Sequence, residues 1–570
     1  MDPVQQLLVN HIDVWLSANV EKQSTRGRSK TDSSMIYGIN KLRSLILELA
    51  IRGKLTSQNL SDGSASSLIQ AIQSEKIGNK ASEKRLKGPT AIKKIPFDIP
   101  HSWEWIGLSE YCDLSMGQSP PSEAYNQSEV GVPFFQGKAD FGDIYPIVRS
   151  WCTEPSKIAK EGDILLSVRA PVGPTNIAQY TCCIGRGLAS LSPLAGASTK
   201  YLLYTMRAMS PSLEALATGT TFSAVSKKDL EFFPIPIPPL TEQERIVSKV
   251  EDLMALCDEL NSQSIASMNA HKVLTEEFLK LLLSSKNALE FKINWSLISN
   301  SFEILFSSAD SIEALKLVIL ELAIIGKLVP QDFGEESAEN LFARISKIKE
   351  SLISAAKIKR VNPTNSSEVI KRVFYELPTN WILRTLQDIY DVRDGTHDTP
   401  KYIVSGYPLV TSKNLYSGKL DFSDIKFISK EDHLKIKKRS EVNFGDVLFA
   451  MIGTIGNPVI VDSEEEFSIK NIALFKPYAN ECAEMKYLLI FLKHITAQVK
   501  DNAAGAVQSF VSLGMLRNYP FPLPPLAEQK RIVEKVDELF LMCDQLKSLI
   551  GNASELQRKI ADVLVDQALA

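Results

Sequence analysis

Much that would point to catalysis is missing from this sequence of 570 residues. It contains no GxxxxGK[ST] phosphate loop and no Asn/Asp-Pro-Pro-Phe/Tyr tetrad, so nothing in it marks a nucleoside triphosphate site or a pocket for a flipped adenine. Cysteine is sparse: the seven residues are an odd number, with no CxxC or Cys/His ligand spacing, and the vicinal Cys182 and Cys183 have no partner cluster. Nothing in this pattern points to a zinc module or a disulfide framework, and reduced, mostly buried thiols are the better reading. Long hydrophobic runs are absent too. The start, MDPVQQLLVNHIDVWL, lacks a basic n-region, and the most apolar later stretch, Leu315 to Ile325, is broken by Glu321. Neither reads as a signal peptide or membrane span, and a cytoplasmic protein is expected. Nor is there an excess of positive charge: Lys plus Arg is 64, Asp plus Glu is 67, and the net is −3. A free-standing DNA binder is usually basic, so any DNA contact would need local basic patches or charge from a partner subunit.

What is present is length, an ordinary globular composition and repetition. At about 100 to 200 residues per domain the chain should hold roughly three to five units, and 44% hydrophobic with 23% charged residues is the balance of a folded soluble chain. The segment PIPIPPLTEQERIVSKV at Pro234 to Val250 returns as PFPLPPLAEQKRIVEKV at Pro520 to Val536. Between residues 232–260 and 518–546, sixteen of twenty-nine positions are identical, Cys257 and Cys543 among them. A second pair lies upstream, LILELAIRGKL from Leu45 to Leu55 against VILELAIIGKL from Val318 to Leu328. Between these repeats stand two divergent stretches with landmarks in matching order: Pro100 and Trp103 with Pro378 and Trp381, Gly162-Asp163 with Gly445-Asp446, Lys200-Tyr201 with Lys486-Tyr487. Equal order implies one fold used twice, at a period far too long for a solenoid.

After each Pro-Pro-Leu a helix start is well signalled, with Glu242 or Glu528 in the first turn. Ile246, Val250, Leu253, Cys257 and Leu260, and likewise Ile532, Val536, Leu539, Cys543 and Leu546, recur at alternating spacings of four and three, which reads as a coiled-coil seam. The first register continues through His271 to Leu274, Phe278 and Leu281, the second through Ile550 to Ile560 and Leu564. A helix over 241–283 would span about 65 Å. Its expected partner is its own duplicate, in an antiparallel pair about an internal pseudo-twofold. Such heptads also serve simple bundle packing, and His271 reads as a polar register device. The stretches between mix short strands with few helices, so the class is α+β.

Taken together, the paired PxPxPPLxEQxRIVxKV segments, the paired LxLELAIxGKL helices, the Pro-x-x-Trp entrances and Gly117-Gln118-Ser119-Pro120 resemble the specificity subunit of type I restriction-modification systems, in the branch with a long N-terminal conserved region. The resemblance covers nearly the whole chain. It implies an N-terminal helical region over 1–96, a first target-recognition domain over 97–239, a central conserved region with a long spacer helix over 240–374, a second target-recognition domain over 375–525 and a C-terminal spacer helix over 526–570. It further implies double-stranded DNA as ligand, two modification subunits that bind S-adenosylmethionine, and two restriction subunits using ATP and magnesium. No catalytic residue, cofactor or metal is expected in this chain.

Candidate base-reading groups follow from side-chain chemistry on turns. In the first domain these are Gln118, Ser119, Gln136, Lys138 and Arg169, whose amides, hydroxyl and cations could reach base edges or phosphates. In the second, Thr396, His397 and Thr399 occupy the turn that answers Gly117 to Pro120, Lys413 and Asn414 follow an apolar run, and Lys435, Lys437, Lys438 and Arg439 form the densest basic cluster. The alternative readings are a solvated or ion-paired arginine, a wet face at 435–439 and plain turn chemistry at the Gly-Pro segments. Trp103 and Trp381 read as core anchors rather than stacking platforms. Two other functions stand against DNA recognition: a coiled-coil scaffold without DNA specificity, and a self-contained methyltransferase or nuclease, which the missing motifs disfavour.

Overall fold

The computed structural model describes residues 9–16, 20–22, 34–78, 95–217, 223–286, 288–360, 377–415, 418–503 and 510–569. Parts of the expected 1–96 and 240–374 segments, among them 79–94 and 361–376, lie outside these. The chain falls into two compact units, residues 1–270 with 552–570, and residues 271–551. Among the described residues no helix is long and apolar enough to cross a membrane.

In the first unit a four-stranded antiparallel sheet runs Thr175–Ile177, Ile164–Ser167, Leu188–Pro193, Cys112–Met116 in spatial order. A second sheet pairs Val132–Phe135 in parallel with Cys182–Ile184. The inner strands Ile164–Ser167 and Cys182–Ile184 are buried along their whole length, as expected of strands covered on both faces. The proline-rich strand Pro234–Ile237 pairs only with Glu104–Gly107, so its missing N–H groups cost no second ladder, while Ile235 and Ile237 are fully buried.

The second unit repeats this plan. Its four-stranded sheet runs Gly456–Ile460, Val447–Ala450, Ile472–Pro477, Tyr390–Asp394, and Tyr407–Val410 pairs in parallel with Ser468–Ile469. Pro520–Leu523 pairs with Ile382–Thr385. Mixed sheets with helices at their margins fit the expected α+β class.

Both long helices run for 44 residues, Leu240–Leu283 and Leu526–Leu569. Each unit holds the beginning of one and the end of the other. In the first unit, Ile246, Val250, Leu253 and Cys257 share a core with Ala561 and Leu564, and Leu260 packs at its edge. In the second, Ile532, Val536 and Cys543 share a core with Leu279 and Leu282, with Leu539 and Leu546 at the edge. The duplicated LxLELAIxGKL segments are the third partner. In Tyr37–Ile51, Arg43 pairs with Asp258 on the first long helix, and Tyr37 donates to Asp562 on the second at 2.8 Å. In Ala309–Ile324, Lys316 pairs with Asp544, and nearby Lys327 donates to the Leu283 carbonyl at 3.1 Å.

The expected register drifts along both long helices. Leu274 and Leu281 are exposed, while Thr275, Leu279 and Leu282 are buried; Ile560 is exposed and Ala561 buried. A straight α-helix turns about 20° per heptad away from a strict 3.5-residue repeat, and over several heptads this moves the buried stripe by nearly one residue. His271 Nε2 donates to the Ile304 carbonyl at 2.6 Å, which is a local tie within its own unit.

The two repeated sequence signatures meet at each domain entrance. Gly53 and Gly326 follow their helices in the left-handed region, at φ of +66° and +73°. A Cβ on either would lie 2.4 Å from the ring of Pro100 or Pro378 and 3.2 Å from Trp103 or Trp381. Glycine is required there twice over. Trp103 Nε1 then donates to Glu242 at 2.9 Å, Gln58 donates to the same carboxylate at 2.6 Å, and Gln243 accepts from Tyr111 at 3.0 Å. Glu242 and Gln243, expected only to start a helix, are buried hubs. In the second unit Gln331 donates to Glu528 at 2.5 Å, and Gln529 donates to the Pro524 carbonyl at 3.0 Å. Burial pushes the carboxyls of Glu242 and Glu528 upward, against the hydrogen bonds that hold the charged form down.

Candidate nucleic-acid interface

Three loops converge at one edge of the sheets of the first unit. The turn after Cys112–Met116 is fixed by Gly117 N–H donating to the Leu188 carbonyl at 2.9 Å and Gln118 N–H donating to that of Ile184 at 3.0 Å. The loop after Val132–Phe135 is held by the Asp140 carboxylate, which accepts from Gln136 N–H at 2.8 Å and Gly137 N–H at 3.4 Å. The turn Gly185-Arg186-Gly187 closes against both: Gly185 N–H donates to Phe135 O at 2.8 Å, and Arg186 N–H donates to Ser119 Oγ at 3.3 Å. Val168 N–H donates to Gly187 O at 2.9 Å, which places the next residue, Arg169, at the same edge.

Chain packing here leaves no room for a Cβ. One on Gly117 would lie 2.2 Å from the Gly185 carbonyl oxygen, and one on Gly187 would lie 2.4 Å from that of Gln136. The backbone is therefore set, while Gln118, Gln136, Lys138, Arg169 and Arg186 are exposed. None of these five side chains has a hydrogen bond or ion pair among the described residues. Four of them were expected from sequence. Arg186 was not, although a lone arginine between two glycines and two β-forming runs is a visible signal for a tight turn with an outward cation.

The second domain reproduces the frame bond for bond. Gly395 N–H donates to Ile472 O at 2.9 Å and Thr396 N–H to Ile469 O at 3.0 Å; Lys470 N–H donates to Val410 O at 3.0 Å, and Met451 N–H to Asn471 O at 3.1 Å. Thr396 thus answers Gln118, His397 answers Ser119, Lys413 answers Lys138, and Ile452 stands where the first domain has Arg169. The isolated bridges Arg169–Ala224 and Ile452–Phe510 agree with the last match. Lys470-Asn471 replaces the three-residue turn, one residue shorter, and Asn471 takes a left-handed φ of +56° to close it.

Its side chains, however, are engaged with each other. His397 lies 3.1 Å from Asn471 Oδ1 through Nδ1 and 2.9 Å from Asp394 Oδ2 through Nε2. Arg439 pairs with the other Asp394 oxygen, and Lys470 donates to Thr399 Oγ1. Asn414, expected as a base reader, is 6% exposed: it accepts from Thr411 N–H at 2.9 Å and donates to Asp421 O at 3.0 Å, so it holds the loop as Asp140 does in the first domain. The basic run lies on the helix Lys430–Ser440 and is split by it. Lys435 pairs with Glu431 at 2.8 Å and Lys437 with Glu466 at 2.8 Å, while Lys438 has no ion pair among the described residues. The structure therefore brings together Thr396, His397 and Thr399, with Arg439 tied behind them, and turns Lys437 toward Glu466.

The family model described as "Type I restriction modification DNA specificity domain" matches residues 100–270 and again 378–553. The chain belongs to the type I specificity-subunit family. Across 99% of its length it is 32% identical to the EcoAI specificity subunit of Escherichia coli and 30% identical to the EcoEI specificity subunit of the same organism, in each case covering the whole relative. Over a third of its length it is 41% identical to the putative MjaX specificity subunit of Methanocaldococcus jannaschii. A crystal structure titled as the HsdS subunit from Thermoanaerobacter tengcongensis shares 32% identity over 45% of this chain and 64% of that one, with a TM-score of 0.28, too low for any argument about arrangement. The two family matches bracket the two copies of the frame. Subunits of this family are non-catalytic, and methylation and cleavage lie in partner subunits.

Proposed function

We propose that the two domains, 97–239 and 375–525, each read one half of a bipartite, asymmetric DNA target. The observation that carries this reading is the frame itself: matching backbone hydrogen bonds present Gln118, Ser119 and Arg169 in one domain and Thr396, His397 and Ile452 in the other, and the closing turn carries Arg186 in the first and Lys470-Asn471 in the second. Base edges in the major groove are told apart by their donor and acceptor patterns, so different side chains on one frame select different half-sites. Lys138 and Lys413 occupy the same place in both and suit phosphate, which positions without specifying; Lys435 and Lys438 share a helix face with the same chemistry. Thr399 supports the second loop.

The long helices act as an antiparallel spacer about a pseudo-twofold and dock two modification subunits, which supply S-adenosylmethionine chemistry; two restriction subunits add the ATP- and magnesium-dependent steps. That each unit contains the start of one long helix and the end of the other supports this arrangement. The near-neutral chain, at −3 net, fits a reader whose partners supply much of the phosphate-neutralising charge. The test is methylation of genomic DNA mapped at single-base resolution, in cells expressing the chain with and without its candidate modification subunit. The expected result is an interrupted motif of two unequal halves that needs both proteins. Methylation that is absent, or that lacks a defined motif, contradicts the reading.

A further inference from the structure

Arg186 is the residue by which the closing turns of the two frames differ in length. The turn between Cys182–Ile184 and Leu188–Pro193 has three residues, whereas that between Ser468–Ile469 and Ile472–Pro477 has two. All four backbone hydrogen bonds around the turn are kept in both domains, so Arg186 is an addition that the fold does not need. Its own N–H is pinned by Ser119 Oγ at 3.3 Å, and its glycine neighbours sit close against Gln136: a Cβ on Gly185 would lie 3.1 Å from the Gln136 Cα, and one on Gly187 would lie 2.4 Å from the Gln136 carbonyl oxygen. The guanidinium is exposed and has no partner among the described residues. Among the described residues most other arginines of this unit have one: Arg43 with Asp258, Arg52 with Glu48, Arg207 with the Asp143 carbonyl, Arg245 with Asp62.

We propose that Arg186 is a specificity-determining residue of the first recognition domain, forking onto the O6 and N7 of a guanine in the major groove. The inference rests on the DNA-reading function proposed above and names a base for one of its positions. Phosphate attraction needs only charge near a strand, and a flexible lysine serves it. A planar fork on a backbone locked by close contacts supplies the fixed orientation that a bidentate base contact requires. Gln118 and Gln136 flank it with amides suited to neighbouring bases. The second domain has no guanidinium at this turn, so its half-site lacks the corresponding guanine contact.

The experiment uses the full chain co-expressed with its modification subunit and compares genomic methylation motifs of wild type, Arg186→Ala and Arg186→Lys. With alanine, one guanine position in one half-site is expected to relax, discrimination there falling roughly tenfold to a hundredfold, while the other half-site is unchanged. Lysine keeps the charge but loses the fork, and is expected to relax the same position more weakly; it carries the test if the alanine variant yields no methylated sites. An unchanged motif with lysine and alanine, or a uniform fall in methylation with no relaxed position, overturns the proposal. A wild-type chain that yields no interrupted motif would instead sink the DNA-reading function itself, so the two failures are distinguishable.

Discussion

The first recognition domain holds its candidate reading groups loose on a rigid backbone, and the second holds them in a mutual network. Gln118, Gln136, Lys138 and Arg169 have no intramolecular partners among the described residues, whereas His397 is tied to Asp394 and Asn471, Arg439 to Asp394, and Thr399 to Lys470. Two routes to preorganisation are visible on one frame. Both copies keep the first turn glycine, Gly117 or Gly395; where Gly185 and Gly187 let backbones touch, the closing turn is fixed by packing, and where Lys470 and Asn471 stand instead, their side-chain hydrogen bonds to Thr399 and His397 add to the same work. Each route limits the entropy lost when a base is contacted.

If the frames are equivalent, equal cuts at the shared entrance should have equal effects. Trp103→Ala and Trp381→Ala each remove a buried ring and are expected to cost about 3–5 kcal/mol, read by denaturant unfolding of the full chain. A large loss in one unit alone would break the equivalence. Gly53→Ala and Gly326→Ala should each cost about 1–3 kcal/mol, from strain at positive φ and the clash with Pro100 or Pro378.

The entrance carboxylates sharpen the comparison through pH. Burial raises the folded-state pKa of Glu242 and Glu528 above the unfolded value. Their contribution is thus fully present below the unfolded carboxylate pKa and is lost as pH rises through the folded one. Glu242→Gln keeps an oxygen acceptor for Trp103 and removes the buried charge. Melting profiles across the mildly acidic range should therefore flatten in the variant, with Glu528→Gln behaving alike; a steeper profile would contradict the burial argument. Smaller still, Lys138→Ala and Lys413→Ala should weaken DNA binding of the assembled complex at all sequences and lower the salt slope by about one each. A changed motif in either variant would reassign that lysine to a base.

Much of the frame was legible in sequence because the repeats carry its joints. Gly53 and Trp103, or Gly326 and Trp381, are repeated since each pair must interlock, and the Glu-Gln after Pro-Pro-Leu is repeated since it is buried under the domain. The seam was legible only near the helix starts, where Ile246, Val250, Leu253 and Cys257, and Ile532, Val536 and Cys543, are buried; farther along, the drift of the buried stripe and a change of packing partner are set by tertiary contacts that no heptad count contains. The reading edge was partly legible. Turn residues stood out, but Asn414 could not be told from an exposed reader, since its burial depends on the Asp421 carbonyl seven residues on. Arg186 went unnoticed because its meaning lies in a register comparison between the domains, which share few residues there. Arg439 was grouped with neighbouring lysines by sequence distance, while helix geometry sends it to Asp394 and Lys437 to Glu466.

The central claim, one frame carrying two readings, is tested most directly by a chain in which residues 97–239 are replaced by a second copy of 375–525, expressed with its modification subunit and scored by single-base methylation mapping. The expected result is an interrupted target whose two halves are identical, both matching the half-site of the second domain. An unchanged asymmetric target, or methylated sites in which the first half-site persists, would contradict it.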